Sequence, residues 1–394
     1  MKETSHIFRA FQEMEIQIQS EGMSRRIPKL MRCLLISFGL EQNPCSVNAS
    51  NKCISLSCPW IKAKLFASHL YLLFSIVFGY FVDKHLIFYI SGNLDLAIYL
   101  IAADLLYCRR RKIQLYINNF LHTPTEMIGQ QQKNKFTSIC VLMACTVVFA
   151  IVYSSFSVVV LINKEAIPEK SSGHTLNVAN LILNIFVWIL YALHAYIGIP
   201  MQACLFVFFC LLINERLCAI NRTLEDMVKR NINCVAQIRH QRAMFCELQK
   251  TSAEVDGIFR EINFIWLLKI VIRCCMSFYD ILTISWSGVG VSEQSIVILD
   301  VIFDIVHFTV LCIVAGNIVD SKTYILETVS AMGKADILIK DDLGQEIQYF
   351  VSVVGHSKMA MTAANIFPLN KNLAVTLLGV IGSYSIVIYQ VSNN

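Results

Sequence analysis

The side chains in this chain whose types and spacing could do chemistry are ionisable groups set inside long apolar runs. Asp300, Asp304 and His307 recur at helical spacing and share one face. Lys269 and Arg273, one turn apart, share a face of another run, with Asp280 further along it. Asp95 stands near the middle of a third. A charge in an apolar medium is costly unless it is paired, so each of these marks a structural ion pair or a functional site. Depth counting places Arg273, Asp304 and His307 within about two helical turns of one another. That spacing predicts buried pairs holding two helices in register, with coupling of a ligand to a moving part as the second reading.

Other reactive side chains do not assemble into a catalytic pattern. Gly333-Lys334 lacks both the upstream glycine and the following hydroxyl of a phosphate loop. There is no H-E-x-x-H, no G-x-S-x-G and no kinase signature. Cys45, Cys53 and Cys58 form the one cysteine cluster outside the apolar runs, and their spacing fits no zinc site. No metal, no cofactor and no enzymatic reaction is expected.

The elements that must position the buried charges follow from composition. Of 394 residues, 56% are hydrophobic and 15% are charged, against about 25% charged in a soluble domain. That surface cannot face water, which excludes a soluble enzyme. The net charge of +5 is dispersed and gives no footprint for nucleic acid. Crossing a membrane as a helix takes about 20 apolar residues. Seven runs approach or exceed that length: 66–81, 86–108, 136–162, 176–213, 262–287, 296–316 and 373–391. The fourth is longer than a bilayer, so its helix should project in part into water or tilt steeply, and Pro200 is a candidate kink. The chain therefore reads as an all-α integral membrane protein in contact with lipid.

Orientation follows from the placement of Lys and Arg between spans. Arg109, Arg110, Arg111, Lys112, Lys133 and Lys135 follow the second run, and a second basic group from Arg216 to Arg260 follows the fourth. The alternate loops are poor in positive charge. The amino terminus falls on the cytoplasmic side and the carboxyl tail outside, the inverse of a G-protein-coupled receptor. None of the 15 cysteines lies in a predicted outer loop, so no external disulfide is expected. The sequons at Asn48 and Asn221 fall on the cytoplasmic side, and no signal peptide is visible. Helical spacing of Phe245, Leu248, Val255, Ile258, Phe259 and Ile262 extends the fifth span below the membrane. A similar pattern over 317–350, interrupted at Gly333 and at the 340–344 turn, completes a cytoplasmic helical layer.

The last run carries a signature. It contains Ser383-Tyr384, five mostly apolar residues, then Gln390-Val391, which resembles the Thr-Tyr, spacer, Gln-Phe ending of insect gustatory receptors. The approach segment 361–370 is similar to that family's as well, and the length and span number extend the likeness over most of the chain. The resemblance implies a tastant-gated, non-selective cation channel in the plasma membrane of chemosensory neurons. It implies a homotetramer, or a hetero-oligomer with other gustatory receptors, with the last span of each subunit lining a central pore. Ser383, Tyr384, Gln390 and Val391 would then be pore or gate residues. An amino-terminal segment (1–61, with a short membrane-proximal helix), a six-helix ligand-binding region (62–316, including the loop 214–261), an anchor segment (317–371) and the pore helix with its tail (372–394) would be its parts. The resemblance also places a tastant pocket in the outer halves of the spans. There the polar and aromatic candidates are Asn93, Tyr153, Asn180, Asn184, Trp188, Tyr191, Tyr279, Thr283, Trp286 and Asp300. The coupling group would be Asp95, Arg273, Asp304 and His307. A bitter or plant-derived ligand is the expectation. A sugar (fructose-type) receptor, an odorant receptor subunit, an accessory subunit of a mixed channel and, last, a G-protein-coupled receptor are the alternatives.

Overall fold

The computed structural model describes His69, Val152 and residues 86–122, 199–230, 234–283, 291–335 and 341–392. The expected first and third spans, apart from His69 and Val152, and the fourth before residue 199 lie outside the described residues. Six helices and one small hairpin are described: α1 (Leu86–His122), α2 (Ile199–Lys229), α3 (Val235–Thr283), α4 (Val291–Ala335), α5 (Asp341–His356), β1 (Thr362–Ala363), β2 (Phe367–Pro368) and α6 (Lys371–Ser392). The described residues fall in two compact units. One holds His69 and 104–122, with His69 Nε2 3.1 Å from Asp104 Oδ2 and the Arg110 guanidinium 4.0 Å over the Tyr107 ring. The other holds 86–103, Val152 and the described chain from residue 199 on.

Among the described residues, two stretches are long and apolar enough to cross a membrane, Met201–Lys229 and Val301–Gly333, and Lys371–Val387 is a shorter apolar helix. In α3, 49 residues long, the apolar half that would span runs on without a break from a charged half. At 1.5 Å per residue it reaches about 74 Å, well beyond a hydrocarbon core.

Packing in the larger unit follows the apolar spacing. Leu217, Ile220 and Leu224 of α2 and Ile318, Ile325 and Val329 of α4 are all fully buried. Polar bonds pin the same seam, Ser321 Oγ to Asn214 Oδ1 at 2.6 Å and Thr328 Oγ1 to Asn221 Oδ1 at 2.9 Å. Phe206 and Phe209 meet the Phe259 ring of α3 at centroid distances of 5.3 and 5.9 Å. Helix α5 lays Leu343, Ile347, Phe350 and Val354, a helical stripe, into the core. Its Glu346 takes Arg242 of α3 at 2.7 Å and Arg239 at 3.5 Å.

Three features differ from the sequence expectation. Gly333 does not interrupt, since α4 runs through it to Ala335, and residues 341–344 are helical: α5 begins at Asp341 and carries Gly344 within it. Carboxylates open a helix favourably because its first N–H groups are positive, and a Cβ at Gly344 would meet nothing within 4 Å. The segment 361–370 contains the hairpin, pairing Thr362 with Pro368 and Ala363 with Phe367. Its turn places Ala364 and Asn365 at φ of 53° and 58°, left-handed values that Asn tolerates and Ala seldom adopts.

Candidate functional site

The buried charges of α3 and α4 come together. Lys269 Nζ donates to Asp304 Oδ1 at 3.1 Å, and Arg273 Nε stands 3.2 Å from Asp304 Oδ2. The three side chains are 6%, 10% and 7% exposed for Lys269, Arg273 and Asp304. Helical periodicity explains the meeting: Lys269 and Arg273 are four residues apart, so one carboxylate on the facing helix reaches both. His307, one turn from Asp304, packs its ring on Phe303 at 4.5 Å. Its Nε2 and the Trp266 Nε1 are buried with no hydrogen-bond partner among the described residues. The structure thus sets Arg273 and Asp304 in contact and adds Lys269, which shares the Arg273 face but was not placed in the coupling group. Asp95 and Asn93 lie in α1, Tyr279 and Thr283 in α3 and Asp300 in α4, with side chains outside the described residues. Tyr153, Asn180, Asn184, Trp188, Tyr191 and Trp286 fall outside the described residues altogether.

The last helix has a distinct geometry. Among its described side chains only Ala374, Ile381 and Ser385 are buried, one narrow stripe. At about 100° per residue, Gly379, Ser383 and Gln390 fall on the side opposite that stripe. Ser383 and Gln390 are exposed, and Tyr384, on a flank between, is 62% exposed. Ser383 Oγ donates to Gly379 O and Ser385 Oγ to Ile381 O, both at 2.8 Å. Both hydroxyls thus donate to the helix's own backbone one turn back. The Val391 side chain lies outside the described residues.

A polar cluster that the sequence did not reveal ties α3 to the segment before α6. Thr362 N donates to Asp256 Oδ1 at 2.6 Å, and Thr362 Oγ1 lies 3.0 Å from both carboxylate oxygens. Asn263 Nδ2 donates to Thr362 O at 3.2 Å, and Ala364 N to Arg260 O at 2.9 Å. Burial pushes the Asp256 carboxyl above the ordinary range, opposed by the Thr362 bonds and the Arg260 charge. Beyond the hairpin, Asn370 Oδ1 caps α6 by accepting from Leu373 N at 2.8 Å. Lys371 pairs with Asp320 of α4 at 2.8 Å. On α4, Lys322 Nζ donates to Ser357 O at 2.6 Å. Asp256, Arg260 and Asn263 have the spacing of one helix face, but their partner lies about a hundred residues on in sequence, so no local pattern announces it.

No group of His, Cys, Asp or Glu among the described residues has the geometry to hold a metal ion. The described residues offer a buried charge pair between two long helices, a polar clasp, and an apolar helix with an uncovered face bearing Ser383 and Gln390.

No curated protein matches the chain significantly. The fold is similar to that of the insect olfactory receptor OR5 from Machilis hrabei, at 13% identity and a TM-score of 0.67, over 92% of this chain and 97% of that one. The same receptor in complex with eugenol matches at 14% identity and a TM-score of 0.65, with the same coverage. The family described as 7tm Chemosensory receptor matches residues 84–393. By that match, over most of its length, the chain belongs to the 7tm chemosensory receptor family.

Proposed function

We propose that this protein is an insect gustatory receptor: a tastant-gated, non-selective cation channel of seven spans in the plasma membrane of chemosensory neurons. Its amino terminus is cytoplasmic and its carboxyl tail outside, and four copies, alone or mixed with related subunits, surround a pore lined by α6. The observation that carries this reading is the uncovered side of α6, which bears the signature residues Ser383 and Gln390 opposite the stripe that the chain itself buries. A helix with one side held by its own subunit and a small, weakly polar side left open is suited to a central axis. Gln390 would offer amide oxygens to hydrated cations, and Val391 an apolar ring that closes by dewetting. Residues 372–394 hold no Asp or Glu, so discrimination among cations is weak.

The ligand would enter the outer halves of the spans, among Asn93, Asn184, Trp188, Tyr279 and their neighbours. Aromatic walls with a few polar groups suit a small bitter or plant-derived compound. An odorant-type ligand is the second reading, favoured by the fold likeness to an olfactory receptor solved with eugenol. The test is to express this chain alone and record excised, nucleotide-free patches under a panel of sugars, plant alkaloids and glycosides, and eugenol. Ligand-evoked cation current without GTP is the expected result, and the active compound names the ligand class. Current that needs GTP, or none despite surface expression, counts against a self-sufficient channel.

A further inference from the structure

The ion pair joins α3 to α4 and the clasp ties α3 to the hairpin, and α6 starts where both helices reach it. Lys269 and Asp256 are 13 residues apart on α3 (269 − 256), about 20 Å along the axis. Asp304 and Asp320 are 16 residues apart on α4 (320 − 304), about 24 Å along its axis. At that depth α4 touches the start of α6 directly, through Lys371–Asp320 and through Gly316, where a Cβ would stand 3.4 Å from Asn370 Cα. Helix α3 reaches the start of α6 through the hairpin as well. All three polar atoms of Thr362, its N, O and Oγ1, are engaged by Asp256 and Asn263.

From Thr362 to α6 the chain is tied at short intervals. Ile366 N donates to Ala363 O at 3.0 Å, Leu369 N to Met361 O at 2.8 Å, and Asn370 caps the helix two residues after Pro368. Leu369 and Met361 are both buried, so the tie lies on the core side. A short segment bonded this closely passes displacement on instead of absorbing it.

We propose that Asp256 is a positioning residue for the last helix: its carboxylate latches the hairpin to α3, so that movement of α3 is passed to the start of α6. The inference rests on α6 being the pore helix of the proposed channel. Asp256 touches neither ligand nor permeating ion and acts through Thr362. The latch works through neutral donors, so Asp256→Asn, which keeps an oxygen for Thr362 N, preserves most of it, and Asp256→Ala removes it.

Two readouts on the full chain test this. Backbone amide exchange over 361–373 is measured by mass spectrometry on purified wild type, Asp256→Ala, Thr362→Val and Asp256→Asn. The first two variants are expected to exchange about tenfold faster there, with Asp256→Asn near wild type and α5 unchanged in all. In excised patches without ligand, Asp256→Ala and Thr362→Val are each expected to shift open probability about fivefold in the same direction. The double variant should shift it no further, and Asp256→Asn should return it. Exchange equal to wild type in both Asp256→Ala and Thr362→Val overturns the latch. Faster exchange with unaltered open probability overturns the coupling. A wild type that reaches the surface yet passes no current contradicts the channel reading itself, and the exchange result then decides the latch on its own.

Discussion

Asp304 faces two cations with one carboxylate, and all three side chains are buried. Breaking a buried pair by removing one partner costs on the order of 3 kcal/mol or more. Asp304→Asn is therefore expected to lower the thermal unfolding temperature in detergent and to reduce surface expression. Wild-type melting together with wild-type ligand sensitivity would show that the pair does nothing. Asp256 gives a prediction of the opposite kind. Burial raises its pKa above the unfolded value, so its contribution to stability is present below the ordinary carboxylate range and is lost as pH rises through the raised value. Asp256→Asn should flatten the dependence of the melting temperature on pH across that window, and an unchanged slope would count against it. The Asp304 contact was legible because both partners lie in apolar runs whose depth can be counted. The Asp256 clasp was not, because its two halves sit in unremarkable polar context far apart in sequence.

Among the elements, the long helices follow directly from period and charge: α2 runs past its apolar stretch to Lys229, and α3 joins a charged half to an apolar one. The hairpin escaped because strands of two residues show no alternation, and its turn uses Ala364 where Gly would have signalled a left-handed position. Helix α5 began earlier than expected because a Gly near a helix start reads as a breaker when its surroundings are unknown. The close approach of α4 to α6 is open to test. At Gly316 an added Cβ makes ordinary contact with Asn370, so Gly316→Ala should be tolerated. Gly316→Leu should force the helices apart at a cost of about 1–3 kcal/mol, read as lost thermal stability and surface expression. Equal stability of the two variants would mean that the contact is slack.

Among the described residues, large apolar side chains stand uncovered on several helices. Ile302 and Val306 on α4 and Val375, Ile386 and Val387 on α6 are among the exposed residues. Lipid covers one such set and neighbouring copies the other, if the proposed assembly is right. Light scattering of the purified protein should then give about four chains of 44.7 kDa per particle after subtraction of detergent. A monodisperse monomer would contradict a fourfold pore. Composition and hydropathy made the membrane class plain, but subunit number came from resemblance alone, since no single-chain pattern encodes which faces copies share. The most direct measurement compares cysteine substitutions along α6. Thiol-reactive cationic reagents applied to open channels should block current in Ser383→Cys and Gln390→Cys. They should leave Ser385→Cys, on the buried stripe, as insensitive as wild type. Block at Ser385→Cys, or full current through modified Ser383→Cys and Gln390→Cys, would contradict a pore lined by this side of the last helix.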